Sequence, residues 1–370
     1  MSVFGTRPEA IKFAPVIRHL EESGFETINI STAQHRDLIR PLIEHFDIRI
    51  DHDLDVMKPG QTLNGTAARV LAKLDPILEE TQPNVVLVQG DTTTAMTGAL
   101  AAWNRRIHVG HIEAGLRTDD PENPFPEEMN RRLISRMAKF HFASTQRNRS
   151  VLLNEGVDDA SIFVTGNPVI DALEWTLAKN KGNATEDSLL KKIGDKKLIV
   201  LTTHRRESFG DAMGANLDVI AEFVRNNEDV AIVFPVHPNP SVKAVAEEKL
   251  GGIDRVHLVE PMDYPDFLKL LSHAWLLVSD SGGLQEEAPS LGKPLLILRE
   301  NTERPEAVEC GAARLIGGSA EVLAAELETL HKSDRWSQSV QKLRNPFGDG
   351  TAAARIAKAL MTNAPINAAV

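Results

Sequence analysis

Cysteine occurs once in the 370 residues, at Cys310, which excludes an intramolecular disulfide and any CxxC metal site and makes the cytoplasm the expected compartment. No apolar run approaches the roughly 18 residues of a membrane-spanning helix, so no membrane partner is expected. The start, Met1-Ser2-Val3-Phe4-Gly5, has neither the basic stretch nor the apolar core of a signal peptide. Runs of like charge are also missing. The net charge of -11, from 52 acidic and 41 basic residues, is spread along the chain, which argues against nucleic-acid binding. Aromatics amount to only 5% against 42% apolar residues, so the core is aliphatic. The length exceeds what one ordinary core accommodates, and two domains are expected.

Short β-rich apolar runs alternate with stretches of helical period, the pattern of parallel sheets covered by crossover helices. Strands are expected at Thr27–Ser31, Val85–Gln89, His108–Ile112, Phe140–Ala143 and Ile162–Thr165, then at Leu198–Thr202, Ala231–Val236, Val256–Leu258, Trp275–Val278, Pro294–Leu298 and Ala313–Ile316. Helices are expected at Pro8–Ser23, Gly65–Thr81 and Gly214–Asn226. The first strand is Ser2–Phe4, shorter than the usual ~5–6 residues, as a late start or a clipped strand would give. The fold class is therefore α/β, two Rossmann-like doubly wound domains, with a break near Thr165-Gly166-Asn167-Pro168. The expected division is 1–168, 169–345 and a C-terminal helical piece, 346–370, that packs back on one of them.

Several segments carry chemistry. At Gly5-Thr6-Arg7-Pro8-Glu9-Ala10-Ile11-Lys12 a Gly turn enters a helix with Pro in its first turn; Arg7, Lys12 and unpaired N–H groups there suit a diphosphate, or merely face water. Asp91, after the strand Val85–Gln89, reads either as a catalytic carboxylate or as the N-cap of a helix Ala95–Trp103. Glu113 stands at the next strand end, where the following glycine indicates a turn and not a helix start. Glu127 and Glu128 open a helix behind Pro126, as the helix dipole alone would favour. Acidic groups gathered this way repel one another, which raises at least one pKa into a range useful for proton transfer. His204, before Arg205 and Arg206, suits phosphate contacts. Ser281-Gly282-Gly283, followed by Glu287, offers N–H groups to a phosphate and a carboxylate to a ribose, and Arg304 follows a further strand.

Taken in order, GTRPEAIK, GDTTT, HIEAGLRT, FPEEMNRR, HRRESFG, SDSGGLQEEAPSLGKP, TERPEA and NPFGDG resemble the non-hydrolysing UDP-N-acetylglucosamine 2-epimerases, over nearly the whole chain. The resemblance implies the GT-B fold of two Rossmann-like domains facing across a cleft, and reversible C2 epimerisation of UDP-N-acetylglucosamine through loss and re-addition of UDP. It implies Asp91, Glu113, Glu127 and His204 as catalytic residues. Arg7 and Lys12 would lie by the diphosphate, Phe267 by the uracil, and Ser281, Gly282, Gly283, Glu287 and Arg304 about the nucleotide. It further implies a homodimer, no cofactor or metal, and a second UDP-N-acetylglucosamine as activator at Gln34-His35-Arg36, although Asp37 and Lys58-Pro59-Gly60-Gln61 depart from the variant associated with that site. A glycosyltransferase of the same fold, a hydrolysing epimerase, an enzyme of a diacetamido uronic acid and a nucleotide-sugar sensor are the competing readings.

Overall fold

The computed structural model describes residues 1–34, 36–58, 60–118, 120–179, 184–203 and 211–364. The chain divides into two compact units, Met1–Ala172 with Phe347–Val370, and Leu173–Pro346. It leaves the first unit inside the helix Pro168–Lys179, a little beyond the expected break, and returns at Phe347.

The first unit is built on seven strands, β1 (Ser2–Phe4), β2 (Asn29–Ser31), β3 (His52–Asp53), β4 (Val85–Gln89), β5 (His108–Ala114), β6 (Phe140–Ala143) and β7 (Ile162–Val164). All pair in parallel, in the order β3-β2-β1-β4-β5-β6-β7. Parallel sheets are covered on both faces and their strands read as continuous apolar runs. β4, Val-Val-Leu-Val-Gln, is buried at all five positions. Val3, Ile30, Val86, Val88 and Val109 pack with Leu74, Leu78 and Ala99 of flanking helices. The helix Ala352–Asn363 belongs to this unit and packs on the helix Arg7–Glu22. Asp171 holds its N-terminus, accepting from the Ala352 and Ala353 amides at 3.2 and 2.9 Å.

The second unit has six parallel strands, β8 (Lys197–Thr202), β9 (Val230–Pro235), β10 (Val256–Val259), β11 (Leu276–Ser279), β12 (Leu295–Ile297) and β13 (Ala313–Leu315), in the order β10-β9-β8-β11-β12-β13. Ile199, Leu201, Ile232, Phe234, Leu276, Val278 and Leu296 form its core against Leu217, Ile220, Leu323 and Leu327 of the helices.

In both sheets the strand order reverses once, between β1 and β4 and between β8 and β11. Open α/β sheets bind ligands beyond the carboxyl ends of the strands at such a reversal. Gly5 and Gly90 follow the first pair, and Thr203 and Asp280 the second. β3 was not foreseen, since two edge residues leave no apolar run to read.

Candidate active site

Glu113 lies in a bulge of β5, where the pairing with β6 shifts register between Ile112 and Ala114. Its φ is +65°, a conformation that costs a non-glycine residue of order 1 kcal/mol or more and concentrates at functional sites. The bulge re-aims the side chain. The buried Glu113 carboxylate receives Lys12 Nζ at 2.5 Å and Asn167 Nδ2 at 3.0 Å on Oε1, and Gln89 Nε2 on Oε2. Gly90 gives it room: with φ +68°, a Cβ there would stand 3.3 Å from Glu113 Oε2.

Asp91 follows Gly90 and keeps a quarter of its side chain exposed. Thr92, not Asp91, caps the following helix, Thr93–Asn104, accepting from the Ala95 amide at 3.0 Å. The capping reading of Asp91 is thereby corrected; the hydroxyl one residue later reaches the N–H and leaves the carboxylate to Arg131 Nη2 at 2.5 Å. Burial foremost, and further the charge of Glu113, lift the Asp91 carboxyl above the usual range against the pull of Arg131. The two carboxylates therefore feel one another. Glu127 is the half-buried first residue of the helix Glu127–Met137. Its neighbour Glu128 is fully buried and accepts from the Thr118 amide at 3.0 Å and Arg132 Nε at 2.7 Å, a structural commitment.

The start of the helix Arg7–Glu22 differs from expectation. Glu9 Oε2 accepts from the Gly5 amide, the Thr6 amide and the Thr6 hydroxyl at 3.0, 2.7 and 2.7 Å, and Glu9 Oε1 from the Thr92 hydroxyl at 2.7 Å. This capping box takes up N–H groups that the sequence reading left for a diphosphate. Lys12 is likewise given to Glu113, while Arg7 stands half-buried at the first helical position. Burial raises the Glu9 pKa in spite of its four bonds. Gly5 is required by packing, because a Cβ would lie 1.9 Å from Thr32 Oγ1. Next to it Thr94 Oγ1 donates to Gln34 Oε1 at 2.8 Å. His35 lies outside the described residues, and Arg36 opens the helix Arg36–Phe46.

In the second unit, β8 ends at Thr202, and Thr203 Oγ1 donates to the buried Asp280 at 3.0 Å. His204 lies outside the described residues. Ser281 is the N-cap of the helix Gly282–Leu291, with no side-chain capping bond of its own, and its amide donates to Ser279 Oγ at 2.9 Å. Around Gly283 the space is open, the nearest atom to an added Cβ being Ser281 Oγ at 3.9 Å. Glu287, one turn in and buried, accepts from the Tyr264 hydroxyl at 2.9 Å. Phe267 stands half-buried on the helix Tyr264–His273, three residues after Tyr264 and so on the same face. The Arg304 guanidinium is held by Glu286 at 2.7 Å and Glu303 at 2.9 Å.

Sequence reasoning missed Glu9, Gln89, Arg131, Asn167 and Tyr264. Glu9 and Arg131 lie inside quoted motifs but have surface-charge spacing. Gln89 and Asn167 are single polar residues closing apolar strand or turn segments, a signal that could have been read.

The model of the UDP-N-acetylglucosamine 2-epimerase family matches residues 18–361. The chain belongs to the UDP-N-acetylglucosamine 2-epimerase family. Among relatives in this family, the UDP-N-acetylglucosamine 2-epimerase of Salmonella typhimurium is 47% identical over 369 residues, covering 97% of each chain. That of Escherichia coli is 45% identical over 372 residues, covering 98% of each. The crystal structure of the enzyme from Neisseria meningitidis bound to UDP-N-acetylglucosamine superimposes with a TM-score of 0.92, at 40% identity, over 98% of this chain and 99% of that one. The two Rossmann-like sheets are thus the GT-B architecture of this epimerase family.

Proposed function

We propose that the protein interconverts UDP-N-acetylglucosamine and UDP-N-acetylmannosamine by elimination and re-addition of UDP. The observation that carries the reading is the pair Asp91 and Glu113 at the carboxyl ends of neighbouring strands β4 and β5, in a chain of the epimerase family. The C2 hydrogen of the sugar has no adjacent carbonyl to acidify it, so departure of the diphosphate leads the reaction. The C1–O bond breaks with its electron pair going to UDP, the C2 proton passes to a carboxylate, and a C1–C2 double bond forms in a 2-acetamidoglucal. Re-addition of UDP with a proton delivered to the opposite face gives the epimer. Two faces need acid–base groups on two sides, which Asp91, Glu113 and Glu127 supply between them.

The Ser281 hydroxyl and the N–H groups of Gly282 and Gly283 hold the nucleotide phosphates, the Ser281 amide being given to Ser279 Oγ, with Glu287 on the ribose, Phe267 on the uracil, and His204 and Arg7 adding positive charge or hydrogen bonds. Tyr264 supports this by fixing Glu287 from the face that carries Phe267. Lys12, 2.5 Å from Glu113, adds its charge beside that carboxylate and the diphosphate.

Asp91→Asn, Glu113→Gln and Glu127→Gln are each expected to lower turnover at least ~100-fold, the scale of a lost acid–base group. Conversion of UDP-N-acetylglucosamine to UDP-N-acetylmannosamine is the readout, with circular dichroism to verify folding. A wild-type rate in any one variant removes that residue from the chemistry.

A further inference from the structure

Asn167 has no exposed surface and every one of its described bonds has a distinct direction. The Val169 amide donates to Oδ1 at 3.1 Å, which fixes the side-chain amide the right way round. Nδ2 is thereby turned to Glu113 Oε1, at 3.0 Å. The Asn167 backbone N–H donates to the Phe347 carbonyl at 2.7 Å. The helix that begins at Pro168 carries the chain out of the first unit, and Phe347 is where it re-enters. One buried residue therefore touches the outgoing segment, the returning segment and Glu113.

The packing there is at backbone distance. Gly166 has φ +87°, and a Cβ on it would stand 3.2 Å from Gly348 Cα and 3.3 Å from the Phe347 carbonyl. Capping a helix needs only an acceptor, which serine or aspartate provides as well as asparagine. The donor aimed at a buried carboxylate is surplus to capping. Lys12 and Gln89, the other described donors to Glu113, come from the elements around the strand reversal, whereas Asn167 comes from the point where the chain leaves and re-enters the unit.

We propose that Asn167 is a positioning residue for Glu113: its amide, fixed by the two connecting segments, sets the orientation of the carboxylate that moves the proton. The proposal rests on the reading of Glu113 as an acid–base group. Asn167→Ser keeps an acceptor for the Val169 amide but withdraws the donor from Glu113. Asn167→Asp keeps the shape and sets a carboxylate oxygen against Glu113.

Both variants are expected to lower kcat about 10-fold with KM changed less than about threefold, and to move the acidic limb of kcat/KM to higher pH, further for Asn167→Asp. A helix cap alone would leave that limb in place. Added to Glu113→Gln, Asn167→Ser is expected to cost no further turnover, because its effect runs through the missing carboxylate. A wild-type kcat and pH profile in folded Asn167→Ser, or a full additional loss in the double variant, overturns the proposal. Should Asn167→Asp not fold, the serine variant decides. An inactive Glu113→Gln beside an unaltered Asn167→Ser sinks the positioning role alone, whereas a fully active Glu113→Gln sinks the reading of Glu113 and the proposal with it.

Discussion

Glu113 shows how much of the site is decided by single residues. A left-handed backbone at a strand bulge, a glycine at position 90 that leaves room, and donors from Lys12, Gln89 and Asn167 act on one carboxylate. Its neighbour His111 is fully buried, with Nε2 2.7 Å from the Gly90 carbonyl, so the ring donates there and stays neutral. Burial takes its pKa from the ordinary 6.5 down to about 3. The folded state thus refuses a proton that the unfolded chain accepts. The stability it contributes is complete above about pH 6.5 and is lost as pH falls towards 3, by about 1.4 kcal/mol per pH unit. In His111→Gln the slope of unfolding free energy against pH, taken from urea titrations between about pH 6 and 4, is expected to be shallower by about that amount. An unchanged slope would show that His111 is not a source of acid sensitivity.

At the scale of elements, the helix Arg7–Glu22 is fixed at its start by Glu9, which ties β1 to the loop after β4 through Thr92. Glu9→Ala strands the Gly5 and Thr6 amides and two threonine hydroxyls, and is expected to destabilise the fold by about 3 kcal/mol. Chemical denaturation should show a lower midpoint with an unaltered slope, and a loss below about 1 kcal/mol would mean that water replaces the box. The same element marks the limit of sequence reading. Strands such as β4 and β6 were legible to the residue because apolar runs bounded by turns leave little choice. The fate of Glu9 was not: a glutamate three residues after a threonine signals a capping box, but its neighbours Arg7 and Lys12 direct attention to an anion. Lys12 finds its anion inside the protein. Likewise the helix Pro168–Lys179 runs through the change of unit, because helix propensity continues where the contacts change partner. Asn167 escaped notice since its partners are 54 and 180 positions away in sequence, on Glu113 and Phe347.

At the scale of the whole molecule, two sheets that share the order of six strands, the first with β7 added at its edge, end their reversal points in different chemistry. The first presents Asp91 and Glu113, the second Ser281-Gly282-Gly283 and Glu287. On the proposed reading the first moves protons and the second holds the nucleotide, a division that a transferase of this architecture does not need. Proton NMR of the protein with UDP-N-acetylglucosamine in deuterated water tests that division most directly. UDP-N-acetylmannosamine carrying deuterium at C2 is expected, since the hydron delivered to the opposite face comes from a second group that has exchanged with the solvent. Free N-acetylmannosamine with UDP, or an epimer that keeps its original C2 hydrogen throughout, would contradict it.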